Sequence, residues 1–263
     1  MNVLLLSDFS PVAINATLYS MDLLHDQQVN FHLLNIYDPD PEVKEGMKEI
    51  TLGRLKERVE RLQQRAGKQH RITGHYSEEK LVNAARNFVE QYKIDLIVMG
   101  AVGSKQRHST ILGRHTFEII SKIKCNILAV AEDSRFKVPK KLLMPFDNSA
   151  SFSENNVKFL NHPGIFKKAH LEIWEFAGSE NVINANKDGK KEVFAGLNNF
   201  KVNFSILEEP SIQDENIWLD VQKRFDMIVL LGKNIRICNR LLHNRHGLYA
   251  TVPNDLPILV LHD

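Results

Sequence analysis

Apolar runs too short to be helices recur along this chain, and between them the apolar residues fall at helical spacing. Residues 3–6, 29–36, 94–99 and 127–130 are such runs, and 71–76 is a weaker one. Between them Ala13, Ala16, Ser20, Leu23 and Leu24 recur at helical spacing, as do Leu52, Leu55, Val59, Leu62 and Ala66 in a charged segment. Leu81, Ala85, Phe88 and Tyr92 form a third set. Ser10 followed by Pro11 is a helix start, and Ser77 is the expected cap of the third helix. Strand and helix alternating about five times imply a parallel sheet covered by helices on both faces.

The second half repeats the plan. Lys141-Leu142-Leu143-Met144-Pro145-Phe146-Asp147 places an Asp after a short apolar run, as Val3 to Asp8 does. Asp226-Met227-Ile228-Val229-Leu230 echoes Asp95-Leu96-Ile97-Val98-Met99, 131 residues earlier. Pro257 to Leu261 echoes Asn126 to Val130 at the same offset. Three matches in one order predict a tandem duplication. The expected fold class is α/β: two tandem open five-stranded parallel-sheet domains of Rossmann-like form, the second copy shorter and degenerate. The expected domains are 1–135 and 140–263. Pro145 and Trp174 are expected to serve strand geometry and packing.

Composition removes several function classes. Lys+Arg 34 against Asp+Glu 32 leaves a formal net charge of +2, not the basic excess of a nucleic-acid binder. No apolar run approaches the ~20 residues that span a bilayer. The opening residues lack a basic stretch before an apolar core of signal-peptide length. A cytoplasmic protein with neither nucleic acid nor membrane as partner is expected. Cys125 and Cys238 make no Cys-x2-Cys pair. Cys238, His243 and His246 lack an evident fourth ligand, so no metal site is expected. No Gly-x-Ser-x-Gly elbow, P-loop or nucleophile–base pair occurs, so no catalytic residue is expected.

One constellation could carry chemistry. In an open α/β sheet, ligands sit outside the carboxyl ends of the strands. Asp8 follows the first strand. After the fourth come Gly100-Ala101-Val102-Gly103, nine residues, then Gly113-Arg114-His115-Thr116 leading into Phe117, Ile120 and Ile123 at helical spacing. Glycines admit close backbone approach, and a helix N-terminus favours an anion. Lys105, Arg107, His108 and Arg114 make the loop basic. The pattern is either a phosphate cradle or a capped turn beside a solvated basic loop.

The segment from Asp95 to Val130 resembles the C-terminal half of a universal stress protein domain, whose Gly-x2-Gly-x9-Gly is followed by Ser or Thr. Gly100, Gly103 and Gly113 match that spacing. The opening VLLLSDFSPVAINA resembles the family's first strand and its Asp, and Phe31 to Pro39 resembles the strand that closes its adenine pocket. The whole resembles a tandem member. The resemblance implies an adenine nucleotide (ATP, or ADP or AMP in its place, with or without Mg2+) at the ends of the first and fourth strands. Asp8 and the backbone near Ile36 would meet adenine, with Ser7 beside them. Met99 and Gly100 would line the ribose, and Gly103, Gly113, Arg114, His115 and Thr116 would lie at the phosphates. Arg114 stands where the family has a hydroxyl. It either holds phosphate bidentately or fills the space a ligand needs.

In the second copy the positions three and thirteen after Gly232 are Ile235 and Arg245. That copy is expected to bind no nucleotide and to pack on the first as an intrachain pseudo-dimer, which leaves a homodimer of chains open. The expected function is a stress-response adenine-nucleotide-binding regulatory protein with at most slow hydrolysis and an unidentified protein partner. The alternative is a protein–protein interaction module in which both copies have lost the site.

Overall fold

The computed structural model describes residues 1–37, 47–102, 112–146, 152–177, 194, 196–208, 215–232 and 255–263. The first half runs β1 (Asn2–Leu6), α1 (Pro11–Leu23), β2 (Val29–Ile36), α2 (Met47–Arg65), β3 (His70–Ser77), α3 (Leu81–Tyr92), β4 (Leu96–Gly100), α4 (Arg114–Lys122) and β5 (Asn126–Val130). The second runs β6 (Lys141–Phe146), α5 (Glu154–Leu160), β7 (Ala169–Ala177), β8 (Phe200–Glu208), α6 (Glu215–Arg224), β9 (Met227–Leu231) and β10 (Ile258–Leu261).

All ten strands form one sheet, ordered β3-β2-β1-β4-β5-β10-β9-β6-β7-β8. From either outer edge inward, the two halves carry the same permutation. Every neighbouring pair is parallel except β5 and β10, which run antiparallel with Leu128 opposite Leu259. The tandem α/β reading holds, but the two sheets are fused into one. Alternation along the strands divides the core. Val3 and Leu5 join Tyr19 of α1, Leu55 of α2 and Leu160 of α5 on one face. Leu4 and Leu6 join Ala85 of α3, Ile119 of α4 and Phe225 just past α6 on the other. Among the described residues no helix is long and apolar enough to cross a membrane.

Local chemistry explains the start of α1. The Ser10 side chain accepts from the Ala13 N–H at 3.4 Å, and Pro11 takes the first helical position of α1. Ser77 does not cap α3. Its hydroxyl accepts from the Glu79 N–H in a short turn, and Lys80 occupies the cap position without a side-chain bond. Two apolar stripes are narrower than their spacing suggests. Leu55 and Leu62 of α2 are buried, whereas Leu52 is 41 % exposed; in α4 Thr116, Ile119 and Ile120 are buried, whereas Phe117 is 39 % exposed. Trp174 is buried against Phe225 and donates to Glu172. Pro145 lies beyond Leu142 and Leu143, the two residues of β6 that pair with β9, where its missing N–H costs no bond to that strand.

The repeated Asp before the fourth strand of each copy has a structural task. The Asp95 N–H donates to the Asn2 carbonyl at 2.9 Å, and its carboxylate accepts from the Asn2 N–H at 2.8 Å. The Asp226 N–H donates to the Lys141 carbonyl at 2.8 Å, and its carboxylate accepts from the N–H groups of Lys140 and Lys141 at 3.0 Å. Each Asp thus staples the first and fourth strands of its own copy together at their starts. Burial opposes the Asp226 charge, but the Lys137 ammonium at 2.7 Å and the two N–H groups outweigh it and hold the carboxyl below its usual range.

A group whose folded pKa is depressed contributes stability above its unfolded pKa, near ~3.9, and loses it as pH falls through the folded value. Asp226→Ala should therefore lower unfolding free energy by about 1.5–3 kcal/mol in a urea titration at pH 7. The variant should also lack that part of the wild-type loss of stability below pH ~4. An unchanged acid limb would refute the staple.

Candidate functional site

β1 lies between β2 and β4, so the carboxyl ends of these three strands meet. Ser7 continues the ladder past β1, its N–H donating to the Leu34 carbonyl at 3.0 Å. The buried Asn35 side chain donates to the Ser7 carbonyl at 2.8 Å, and the Ser7 hydroxyl accepts from the Phe9 N–H at 3.2 Å. The chain then turns through Phe9, whose φ of 63° is unusual for a residue with a side chain. The turn leaves Asp8 exposed at the strand end. One carboxylate oxygen of Asp8 accepts from the Ser10 N–H at 3.0 Å and from the Ser10 hydroxyl at 2.5 Å. Ile36 ends β2, half-buried, on the same side.

Across β1, Met99 is buried and Gly100 closes β4. The chain returns to this end at Gly113, whose N–H donates to the Ala101 carbonyl at 2.7 Å. α4 starts there. Gly113 is its N-cap and supplies no side-chain bond. The N–H groups of Arg114, His115 and Thr116 have no carbonyl within the helix to receive them. Arg114 and His115 are exposed. With Lys122 as the main cause, they help hold the Glu118 carboxyl below its usual range. Thr116 is buried, and its hydroxyl donates to the Gly100 carbonyl at 2.8 Å. That bond ties the helix to the strand and uses the hydroxyl's only proton.

The structure thus brings Ser7, Asp8, Ile36, Met99, Gly100, Gly113, Arg114, His115 and Thr116 to one end of the sheet. Gly103, Asp147, Ile235, Cys238, His243, Arg245 and His246 lie outside the described residues. The two described glycines differ in kind. A Cβ on Gly100 would stand 2.7 Å from Cγ2 and 3.0 Å from Cγ1 of Val12, so packing of α1 on β4 requires glycine there. A Cβ on Gly113 would meet its nearest neighbour, Val102 Cα, at 3.4 Å, an ordinary contact, and φ at Gly113 is −66°. Among the described residues no contact forbids a Cβ at 113, and the backbone conformation there does not demand glycine. Spacing alone did not reveal Asn35 or Val12, because each acts through a contact with a strand distant in sequence.

The strand order reverses between β1 and β4, so the first copy is a doubly wound α/β domain with its candidate site at the topological switch point. Residues 1–131 match the universal stress protein family, and through this first copy the chain belongs to that family. A universal stress protein from Archaeoglobus fulgidus is similar over 99% of this chain and 96% of its own, at 15% identity and TM-score 0.59. A putative universal stress protein from Pseudomonas aeruginosa is similar over 99% and 92%, at 13% identity and TM-score 0.55. The cytoplasmic domain of a prokaryotic cation chloride cotransporter is similar over 100% and 95%, at 16% identity and TM-score 0.55. At these identities the similarity is one of fold. No curated protein matches the chain.

Gly100→Ala should cost about 1–3 kcal/mol of stability by overpacking against Val12. Combining it with Val12→Ala should remove most of that increment in a double-mutant cycle. Additive losses would show that Val12 is not what excludes a side chain at position 100.

Proposed function

We propose that the first copy is a stress-response regulatory module that binds an adenine nucleotide, ATP or ADP or AMP, where β1, β2 and β4 end. Asp8 and the backbone near Ile36 would meet the base, and Met99 and Gly100 the ribose. Gly113 and the first residues of α4 would meet the phosphates, with Mg2+ as an optional companion. The observation that carries this reading is Gly113: a buried glycine at which no described neighbour excludes a Cβ, heading a helix to which it supplies no side-chain cap. A small residue there leaves room for an anion to act as the cap. The helix end would contribute ~0.3–1 kcal/mol and a charge-assisted contact to Arg114 ~1.5–3 kcal/mol, so the Arg dominates. The second copy is proposed to serve as a structural partner within the chain, and hydrolysis to be at most slow.

The alternative, an interaction module without nucleotide, is favoured by two observations. The Thr116 hydroxyl is already committed to Gly100, and Arg114 replaces the hydroxyl beside it.

The test is release of bound nucleotide on denaturing the purified chain, read by chromatography, together with calorimetric titration of ATP and ADP. The proposal expects adenine nucleotide near one per chain. Arg114→Ala should weaken binding about tenfold or more, and Gly113→Val should abolish it while the fold is kept. No released nucleotide and no affinity tighter than millimolar would favour the interaction module.

A further inference from the structure

Two histidines face each other beneath α3, one on β2 and one on β3. His32 of β2 and His75 of β3 bring Nδ1 and Nε2 to 3.1 Å, with ring centroids 5.3 Å apart. α3 closes over them. The Tyr92 ring lies 4.5 Å from that of His32 and 5.2 Å from that of His75, and the Phe88 ring 5.0 Å from that of His75. Register sets Leu4 of β1 and Thr73 of β3 beside His32, and Leu34 of β2 beside His75. Among the described residues, the groups near them that titrate or carry charge are the Tyr92 phenol on α3, Arg71 further along the same face of β3, Arg86 and Glu90 on the exposed side of α3, and Lys93 at its C-cap. Burial pushes both imidazoles below the usual histidine value, and His32 adds to the effect on His75. Among the described residues no third His, Cys, Asp or Glu joins them into a metal-binding group.

Proton counting gives this pair a threshold. With both rings neutral, one N–H lies between the facing nitrogens, and one ring donates while the other accepts. Let His32 donate from Nδ1 to the lone pair on His75 Nε2. A first added proton binds His75 Nε2, and the bond then runs the other way once His32 has moved its own proton to its far nitrogen, Nε2. A second added proton must bind His32 Nδ1. Two N–H groups then face each other with no lone pair between them, and two like charges share an aromatic pocket.

We propose that the His32–His75 pair is an acid-tripped latch: neutral, it fastens α3 to the β2–β3 edge of the first copy, and doubly protonated, it releases that helix. α3 also packs on α4, so release removes one support of the helix that begins at the candidate site. The latch does not depend on nucleotide binding. Because the folded pKa values lie below the unfolded value near ~6.5, its contribution is complete above that pH. It is lost as pH falls from there toward the lowered folded values.

Hydrogen exchange of the full chain, read by mass spectrometry at pH 7.5, 6.5, 5.5 and 4.5 and corrected for intrinsic rate, tests this. Protection of α3 should fall below pH 6.5 by about tenfold for each unit by which a folded pKa lies below its unfolded value. Protection of β5 and β10 should hold. The double variant His32→Phe with His75→Phe keeps aromatic packing without titration, and its α3 protection should not vary with pH. His75→Gln serves if that variant fails to fold. It keeps an amide opposite His32 and removes the second charge, so α3 should stay closed at a pH where the wild type opens. Wild-type α3 protected down to pH 4.5, or variants that open as the wild type does, would overturn the latch.

Discussion

Neither half of this molecule could leave bare the strand at which the halves join. Ile127, Leu128, Ala129 and Val130 are each 0% exposed, and Ile258, Leu259, Val260 and Leu261 are no more than 3% exposed. An apolar edge of this kind, with unpaired N–H and C=O groups, is a template for aggregation. Antiparallel pairing of β5 with β10 closes both edges at once. Polar contacts fix the seam. The Asn15 side chain donates to the carbonyls of Ala131 and Ser134, the Ser134 hydroxyl donates to the Asp255 carbonyl, and the His262 N–H donates to the Asn126 side chain. Lys167 reaches across to Asp26 at 2.8 Å. The second copy therefore has a physical reason to persist whatever it binds.

With the sheet closed, the carboxyl ends of β1, β2 and β4 become a fixed platform. Its residues fall into two groups. Ser7, Gly100 and Thr116 hold the platform together: Ser7 through Leu34 and Asn35, Gly100 by making room for Val12, and Thr116 through the Gly100 carbonyl. Asp8, Arg114 and His115 are exposed on it, and the fold would survive their replacement. A ligand can be recognised by the second group, while the first determines where that group stands. Sequence patterns do not separate the two, because a motif residue looks the same whether it holds the chain or faces outward.

The strands of the first copy, the start of α1 and the repeated Asp were legible because each is a local signal: an apolar run, a Ser-Pro start, an Asp at a constant offset. The fusion at β5 and β10 was not, since strand pairing is decided by which edges lie bare once both halves fold. Ser77 looked like a helix cap but serves a turn three residues before the helix, as its hydroxyl reaches only the Glu79 N–H. Phe117 was placed in the buried stripe of α4 because 117, 120 and 123 share a spacing. The bond from Thr116 to Gly100 rotates the helix so that Thr116 and Ile119 face inward instead. His32 and His75 lie 43 residues apart, and nothing in either strand's own pattern joins them. Of the candidate site, its place at the strand ends was legible. Which hydroxyls were already committed to the backbone was not.

The internal repeat makes one comparison that neither copy makes alone. Gly100 ends the fourth strand of the first copy and Gly232 follows that of the second. A Cβ on Gly100 would strike Val12, and a Cβ on Gly232 would run into the His262 ring. Both copies keep glycine where a Cβ would force a neighbouring side chain to move. Thirteen residues further on, the first copy has Gly113, where a Cβ would make only ordinary contact with the described residues, and the second has Arg245. Among the described residues, neighbours press on the glycine the copies share and not on the one they do not. The glycine that differs is thus the one that no described neighbour holds to glycine, and it heads α4, in the copy where Asp8 stands exposed at the end of β1.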